Sequence, residues 1–393
     1  MNDVTTRSNH HESSASHPGH SVQLQTPESS KGRSMVVALK AGMSNTQRNE
    51  LDTDNLIPHS LALGWAADKT GDTTAPPVIR PSDARARRWG VVLAGGDGTR
   101  LRSLVKFICG EERPKQFCPL FGGRTLLAQT LRRAELTIPR EQLLVSAAEH
   151  HRKWYQQEDG IPTGQLIVQP ANKGTAPAVL HSVLSIAQID ENAIVAILPS
   201  DHHYMDESLF ANALESAFIR ASEFPDSVVL LGAQPDYAEI EYGWIELGEP
   251  LRRQDDLFGV RAFREKPSLE IARKLLLSQD SVWNTFVMVG RAKAFLEMFR
   301  ASLPELSTAF PTATLWKGGE THIEHGIYKR MPSTDLSKQV LSTETTRLMV
   351  LRLGDVGWCD LGDPGRVLAT FASDSTPEWM AEWRRANGAE AMA

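Results

Sequence analysis

From Trp89 onward, short apolar runs alternate with longer stretches in which apolar positions recur every three or four residues. The runs Gly90 to Leu93, Leu143 to Ser146, Leu166 to Val168, Ile194 to Leu198 and Val228 to Gly232 have the length and composition of buried strands. Between them, Thr125 to Ala134, Ala176 to Ala187 and Ser208 to Ala221 carry the period of amphipathic helices. This alternation predicts an α/β fold of βαβ units with right-handed crossovers, and so a mostly parallel sheet flanked by helices. Ligands of such sheets collect at the carboxyl ends of the strands, which is where functional residues are to be sought.

Residues 1–88 show no sustained period. Ser, Thr, Asn, Gln and His with scattered prolines cannot bury enough apolar surface to offset the entropy of ordering, so a disordered N-terminal tail is expected. Its His10, His11, His17 and His20 could bind a metal or belong to a solvated low-complexity segment, and Met35 or Met43 could be the true start. The pattern divides the chain into a tail over 1–88, a large α/β domain over 89–370 and a short helical extension over 371–393. In the extension, Thr376-Pro377-Glu378 supplies an N-cap, a proline at the first helical position and an early acid.

Composition narrows the partners. With 41% hydrophobic residues, 23% charged and a formal net charge of -6, the chain has no basic field for nucleic acid, and any phosphate site must be local. Cys109, Cys118 and Cys359 lack metal-ligand spacing and make a poor disulfide framework, which suits a reducing cytoplasm. No stretch approaches the roughly 18 apolar residues of a membrane span, and the N-terminus lacks the apolar core of a signal peptide.

Candidate chemistry begins where the first strand ends. Leu93-Ala94-Gly95-Gly96-Asp97-Gly98-Thr99-Arg100-Leu101 opens a strand into a loop of three glycines, and Pro114-Lys115-Gln116-Phe117 follows. Backbone N–H groups freed by glycine, with cations at Arg100 and Lys115, suit a chain of phosphates. A P-loop would need Gly-Lys-Ser/Thr after its glycines, and a dinucleotide fingerprint a third glycine where Leu101 stands, so neither template fits.

Two acids follow strand-like runs. Asp201, in Pro199-Ser200-Asp201-His202, is either a Mg²⁺ ligand or the N-cap of the helix after Met205. Asp360, in Gly357-Trp358-Cys359-Asp360-Leu361-Gly362, reads by itself as an ordinary turn residue, as does Asp363, and Asp355 is close by. Tyr242-Gly243-Trp244-Ile245 with Phe263-Arg264-Glu265-Lys266-Pro267 reads by itself as a β-hairpin ending in a Glu-Lys surface pair before a turn proline. Thr175 could cap the helix at Ala176 to Ala187.

Taken together from about Trp89 to Val367, these motifs resemble, in order, those of sugar-1-phosphate nucleotidyltransferases, and are most similar to those of mannose-1-phosphate guanylyltransferases. The resemblance implies a Rossmann-like, GT-A-like nucleotidyltransferase fold and transfer of GMP from GTP to mannose 1-phosphate, giving GDP-mannose and pyrophosphate with Mg²⁺ as cofactor. It implies that Leu93, Ala94, Gly95, Gly96, Gly98, Thr99, Asn172 and Thr175 hold the nucleotide. Arg100 and Lys115 then meet the triphosphate, while Gly243, Glu265, Lys266 and Asn284 meet the sugar phosphate, and Asp201 and Asp360 the metal. A phosphate monoester carries nearly two negative charges, so a compact ammonium such as Lys266 must offset its repulsion from the triphosphate. His202 and His203 resemble packing or supporting residues, because the sugar phosphate is already a nucleophile and needs no general base. Two positions depart from the family pattern: Phe286 stands for a glycine after Trp283-Asn284-Thr285, and Gly174 for an asparagine within Gln169 to Pro177. Other sugar 1-phosphates with UTP, dTTP or ATP, and a non-catalytic regulatory protein that binds a nucleotide sugar, are the alternative readings. Small-molecule substrates are expected without nucleic acid or membrane, and a homo-oligomer is compatible with them.

Overall fold

Near-continuous apolar runs become strands here because helices cover both faces of the sheet. In the computed structural model the described residues are 85–158, 160–161, 164–251, 256–310, 321–322, 325–371 and 377–387. The tail expected over 1–88, save its last four residues, and Thr376 of the expected C-terminal cap lie outside them. The strands are β1 (Arg88–Ala94), β2 (Leu143–Ala148), β3 (Leu166–Gln169), β4 (Ile194–Pro199), β5 (His203–Tyr204) and β6 (Val228–Ala233), followed by β7 (Gly243–Pro250), β8 (Leu257–Glu265), β9 (Ser281–Arg291), β10 (Thr321–His322), β11 (Leu348–Arg352) and β12 (Trp358–Cys359). The main sheet runs β10-β3-β2-β1-β4-β9-β6-β11-β8-β7.

The sheet is mixed. β1, β2, β3, β4 and β10 form a parallel half, as the alternating pattern predicts, and β6 pairs parallel with β11. β9 runs antiparallel to β4, β6 and β7, and β8 antiparallel to β7 and β11. Because β9 pairs with both β6 and β7, the order β6-β11-β8-β7-β9 closes on itself. The hairpin strands could not be placed from period alone, since a connection short enough for a hairpin forces the antiparallel sense.

Local sequence starts the helices. Thr125 accepts the N–H of Ala128 at the start of Leu126–Ala134, and Asp206 accepts those of Ser208 and Leu209 at the start of Glu207–Glu223. Such caps contribute about 1 kcal/mol each. Phe210, Leu214, Phe218 and Ala221 of the second helix pack with Leu198 and Val229 on one face of the sheet. Val179, Val183 and Ile186 of Thr175–Ile189 pack with Phe295 and Phe299 on the other. Each fully buried side chain of this size contributes about 1.5–3 kcal/mol.

A further cluster lies beneath the glycine loop. Leu101, Leu104, Val105 and Leu120 pack there with Leu361, Met380 and Trp383, so the helix Glu378–Asn387 braces the loop's neighbours. Trp379 Nε1 also donates to the carbonyl of Leu120 at 3.2 Å. Among the described residues no helix is long and apolar enough to cross a membrane.

Two registers bring the motifs together. Parallel pairing matches Leu93 of β1 with Pro199 of β4, and Ser200 N–H donates to the Leu93 carbonyl at 3.2 Å, so the glycine loop and Asp201 leave the sheet side by side. Antiparallel pairing of β5 with β12 matches Tyr204 with Trp358 and His203 with Cys359, which carries Asp360 to the same edge.

Candidate active site

The loop after β1 owes its shape to its glycines and to a buried amide. Gly98 has φ 58°, and a Cβ there would stand 3.0 Å from the backbone nitrogen of Lys115, so only glycine fits without strain. Gln116, 1% exposed, donates from Nε2 to the carbonyls of Ala94 at 2.9 Å and Gly96 at 2.8 Å. A carboxamide satisfies both loop carbonyls at once, which fixes the backbone before any ligand arrives. Leu93, Gly95 and Gly96 line a cavity of about 460 Å³, and the expected nucleotide residues Ala94, Gly98 and Thr99 do not line it. Arg100 is at the rim, where its guanidinium lies 3.4 Å from Glu241.

Both carboxylate candidates line this cavity. Lys115 stands between the segments that carry them: its Nζ is 3.3 Å from Oδ2 of Asp201 and donates to the Asp360 carbonyl at 2.7 Å. Burial raises the Asp201 carboxyl, but the charges of Lys115 and His202 outweigh it and hold the group below the ordinary carboxylate value. Oδ1 of Asp360 accepts from Tyr242 at 2.9 Å and from the Gly362 N–H at 2.8 Å, with the Arg366 guanidinium 3.2 Å away. Neither acid caps a helix. Asp206 takes that role for Glu207–Glu223, and Asp363 takes it for Pro364–Thr370. Asp355 instead accepts the N–H of Gly357 and does not line the cavity. Two carboxylates with oxygen donors only, in a cavity open to phosphate, fit a hard cation such as Mg²⁺. His202 is engaged elsewhere, since its Nδ1 accepts from Trp358 Nε1 at 3.2 Å, and His203 stacks on Phe121 with ring centroids 4.2 Å apart.

Across the cavity, the β7–β8 hairpin pairs Gly243 with Glu265, so the surface-hairpin and pocket readings describe one object. Burial, with Asp335 nearby, pushes the Glu265 carboxyl up to about 7. Lys266 sits at φ 48°, and its Nζ reaches Glu241 at 3.1 Å, the same acid that holds Arg100. Asn284 lines the wall, and its Oδ1 accepts the N–H of Phe286 at 3.1 Å. Phe286 adopts φ 61°, the left-handed backbone that a glycine in this place would take without strain, and its ring also lines the cavity. Strain of this kind clusters at ligand sites.

On the side expected for the base, Asn172 and Thr175 both line the cavity. Thr175 is not an N-cap: Gly174 occupies that position, and Thr175 Oγ1 instead accepts the N–H of Leu336 at 2.9 Å. The cap is displaced because the 334–336 segment packs directly on the loop. Gly174 has φ 87°, and a Cβ there would fall 2.4 Å from the Thr334 carbonyl oxygen, which accounts for glycine in place of asparagine. Asp335 and Ser337, from the same segment, line the cavity as well, with no motif to announce them. Gln116 had a signal in its place beside Lys115. Another unannounced group joins Asp97 of the glycine loop to His150 and His151, none of which lines the cavity. The cysteines also differ from their scatter in sequence: Cys109 and Cys118 are free, with sulfurs 3.2 Å apart.

A family model described as Nucleotidyl transferase matches residues 89–375. The chain is 29% identical over 291 residues to the xanthan biosynthesis protein XanB of Xanthomonas campestris, covering 72% of this chain and 59% of that protein. It is 29% identical over 279 residues to a mannose-1-phosphate guanylyltransferase of Salmonella muenchen, covering 69% and 57%. The chain thus spans under two thirds of these curated relatives. A crystal structure described as mannose-1-phosphate geranyltransferase from Thermus thermophilus superposes with a TM-score of 0.62 at 31% identity, covering 73% of this chain and 80% of that one.

Proposed function

Because the chain belongs to the nucleotidyl transferase family, we propose that it transfers a nucleotidyl group from a nucleoside triphosphate to a hexose 1-phosphate. In the specific reading the substrates are GTP and mannose 1-phosphate, and the products GDP-mannose and pyrophosphate. The observation that carries this is one cavity of about 460 Å³ lined by Gly95 and Gly96, by Glu265, Lys266 and Asn284, and by both Asp201 and Asp360. The relatives described as mannose-1-phosphate guanylyltransferases support the choice of base and sugar.

The reaction needs positioning more than acid–base chemistry. An oxygen of the sugar phosphate attacks the α-phosphorus, a P–O bond forms in line, and the bond to the β-phosphate oxygen breaks to release pyrophosphate. The glycine loop receives the triphosphate, held by Gln116 before binding. Lys115 offsets charge that develops on the leaving group, and Arg100 swings from Glu241 to the outer phosphates. Lys266 leaves the same Glu241 to meet the sugar phosphate, while Glu265 and Asn284 accept and donate to sugar hydroxyls. Asp201 and Asp360 would hold Mg²⁺, which supplies positive charge against the phosphate oxygens.

The test is pyrophosphate release by purified protein across a grid of GTP, UTP, dTTP and ATP with mannose 1-phosphate and glucose 1-phosphate. The GTP and mannose 1-phosphate pair should have the highest kcat/KM. A different preferred pair overturns the specific reading, and no release from any pair overturns the enzymatic one.

A further inference from the structure

The geometry points to a second cation site, separate from Asp201 and Asp360, formed by Asp97, His150 and His151 and selective for a borderline divalent transition-metal ion of the Zn²⁺ class. Nε2 of His150 lies 2.7 Å from Oδ1 of Asp97, and Nε2 of His151 lies 3.2 Å from the same oxygen. One ligand atom from each residue falls within 4.8 Å of the others. Bonds of about 2.0–2.2 Å to imidazole nitrogen and carboxylate oxygen place ligands roughly 3 Å apart, so small side-chain movements suffice to enclose an ion.

The three positions are differently supported. The side chain of His151 is 2% exposed and walled by Phe117 and Trp154, with ring centroids 6.1 and 5.8 Å away. Its buried Nδ1 makes no hydrogen bond of ordinary length and angle, with the Ala94 backbone as its neighbour, and Nε2 is turned to Asp97. His150 and Asp97 are 49% and 43% exposed, which leaves the remaining coordination positions open to water or a phosphate oxygen. Asn172 Nδ2 donates to Oδ2 of Asp97 at 3.3 Å and orients the carboxylate from outside.

Two imidazoles decide the metal class. Mg²⁺ prefers oxygen donors and keeps its waters, whereas imidazole suits Zn²⁺ and its neighbours, and two histidines with one carboxylate and open positions is a familiar set for them. Asp97 lies between Gly96, in the cavity wall, and Gly98, so an ion there would tie the phosphate loop to the segment after β2. This inference stands whether or not the proposed reaction is correct, because its test reads binding.

Full-length protein freed of metal is titrated with Co²⁺ followed by visible absorption, and with Zn²⁺ by equilibrium dialysis. The tail histidines are present in every variant, so only differences count. His150→Ala and Asp97→Asn alter exposed side chains, and a melting curve verifies their fold. Each should bind one equivalent less than the parent, with affinity for that ion at least about 100-fold lower, since even supporting residues of such sites cost 10–100-fold. Asp201→Asn and excess Mg²⁺ should leave this equivalent in place. Equal uptake by the parent, His150→Ala and Asp97→Asn would overturn the site and leave a hydrogen-bonded triad only. Loss of the equivalent in Asp201→Asn would likewise overturn it, by assigning the ion to the other pair.

Discussion

The ammonium of Lys115 stands 3.3 Å from Oδ2 of Asp201. The same nitrogen donates to the carbonyls of Asp360 at 2.7 Å and Leu361 at 3.1 Å, so one cation ties the end of β4 to the turn after β12. Removing the Lys115 charge should therefore disturb both chemistry and the alignment of the two segments.

Asp201→Asn and Asp360→Asn should each lower kcat by more than about 100-fold, the scale of removing a charge-stabilising group. Lys115→Met should cost as much and also lower Tm, because it strands the half-buried Asp201 carboxylate. Steady-state rates with saturating Mg²⁺, read beside melting curves, check this. Near-normal turnover in either Asn variant would remove that acid from the site.

Glu241 holds both Arg100, at 3.4 Å, and Lys266, at 3.1 Å. If these cations are destined for different phosphates, the acid competes with both substrates. Glu241→Gln should lower KM for triphosphate and sugar phosphate alike by roughly 1.5–5-fold, the worth of an exposed ion pair. Arg100→Ala should instead raise KM mainly for the triphosphate, and Lys266→Ala mainly for the sugar phosphate. Equal losses toward both substrates from both alanine variants would show that the roles do not divide.

Glu265 titrates at about 7, above its ordinary 4.5, with burial as the first cause. The folded protein therefore keeps a proton there that the unfolded chain has lost between these values, and this group's contribution to stability falls as pH rises through the window. Urea midpoints measured from pH 5 to 8 should drop more steeply in the parent than in Glu265→Gln. Below about pH 7 the protonated carboxyl accepts sugar hydroxyls poorly, so KM for the sugar phosphate should rise as pH falls, and more steeply than in the glutamine variant, where only the second ionisation of the phosphate at about pH 6 remains.

Phe286 holds a left-handed backbone in the cavity wall. Glycine at this position relieves about 1–2 kcal/mol of strain but forfeits packing of a partly buried ring, so Phe286→Gly should melt within a few degrees of the parent. Space beside the sugar opens, and the ratio of kcat/KM for mannose 1-phosphate to that for glucose 1-phosphate should shift. An unchanged ratio would show that the ring does not shape the sugar pocket.

Features that depend on near neighbours were legible along the chain alone. Hydrophobic period placed the parallel strands and the helices after Thr125, at Ala176 and at Ser208, because burial selects apolar residues at the spacing of the local backbone. Strand ends flanked by glycine or acid marked Gly95, Gly96, Asp201, Glu265 and Asp360, each of which lines the cavity. Tertiary packing alone decided which distant segments meet. The antiparallel pairing of β5 with β12 brings Asp360 to the edge from which Asp201 projects, and the 334–337 segment seals the loop at Gly174 and takes the hydroxyl of Thr175 away from capping. The pairing of Arg100 and Lys266 with Glu241, and of His150 and His151 with Asp97, is equally invisible along the chain. These contacts join residues far apart in sequence. Their partners are chosen by the closing of one sheet and the packing of the cores around it, and no local period records that choice.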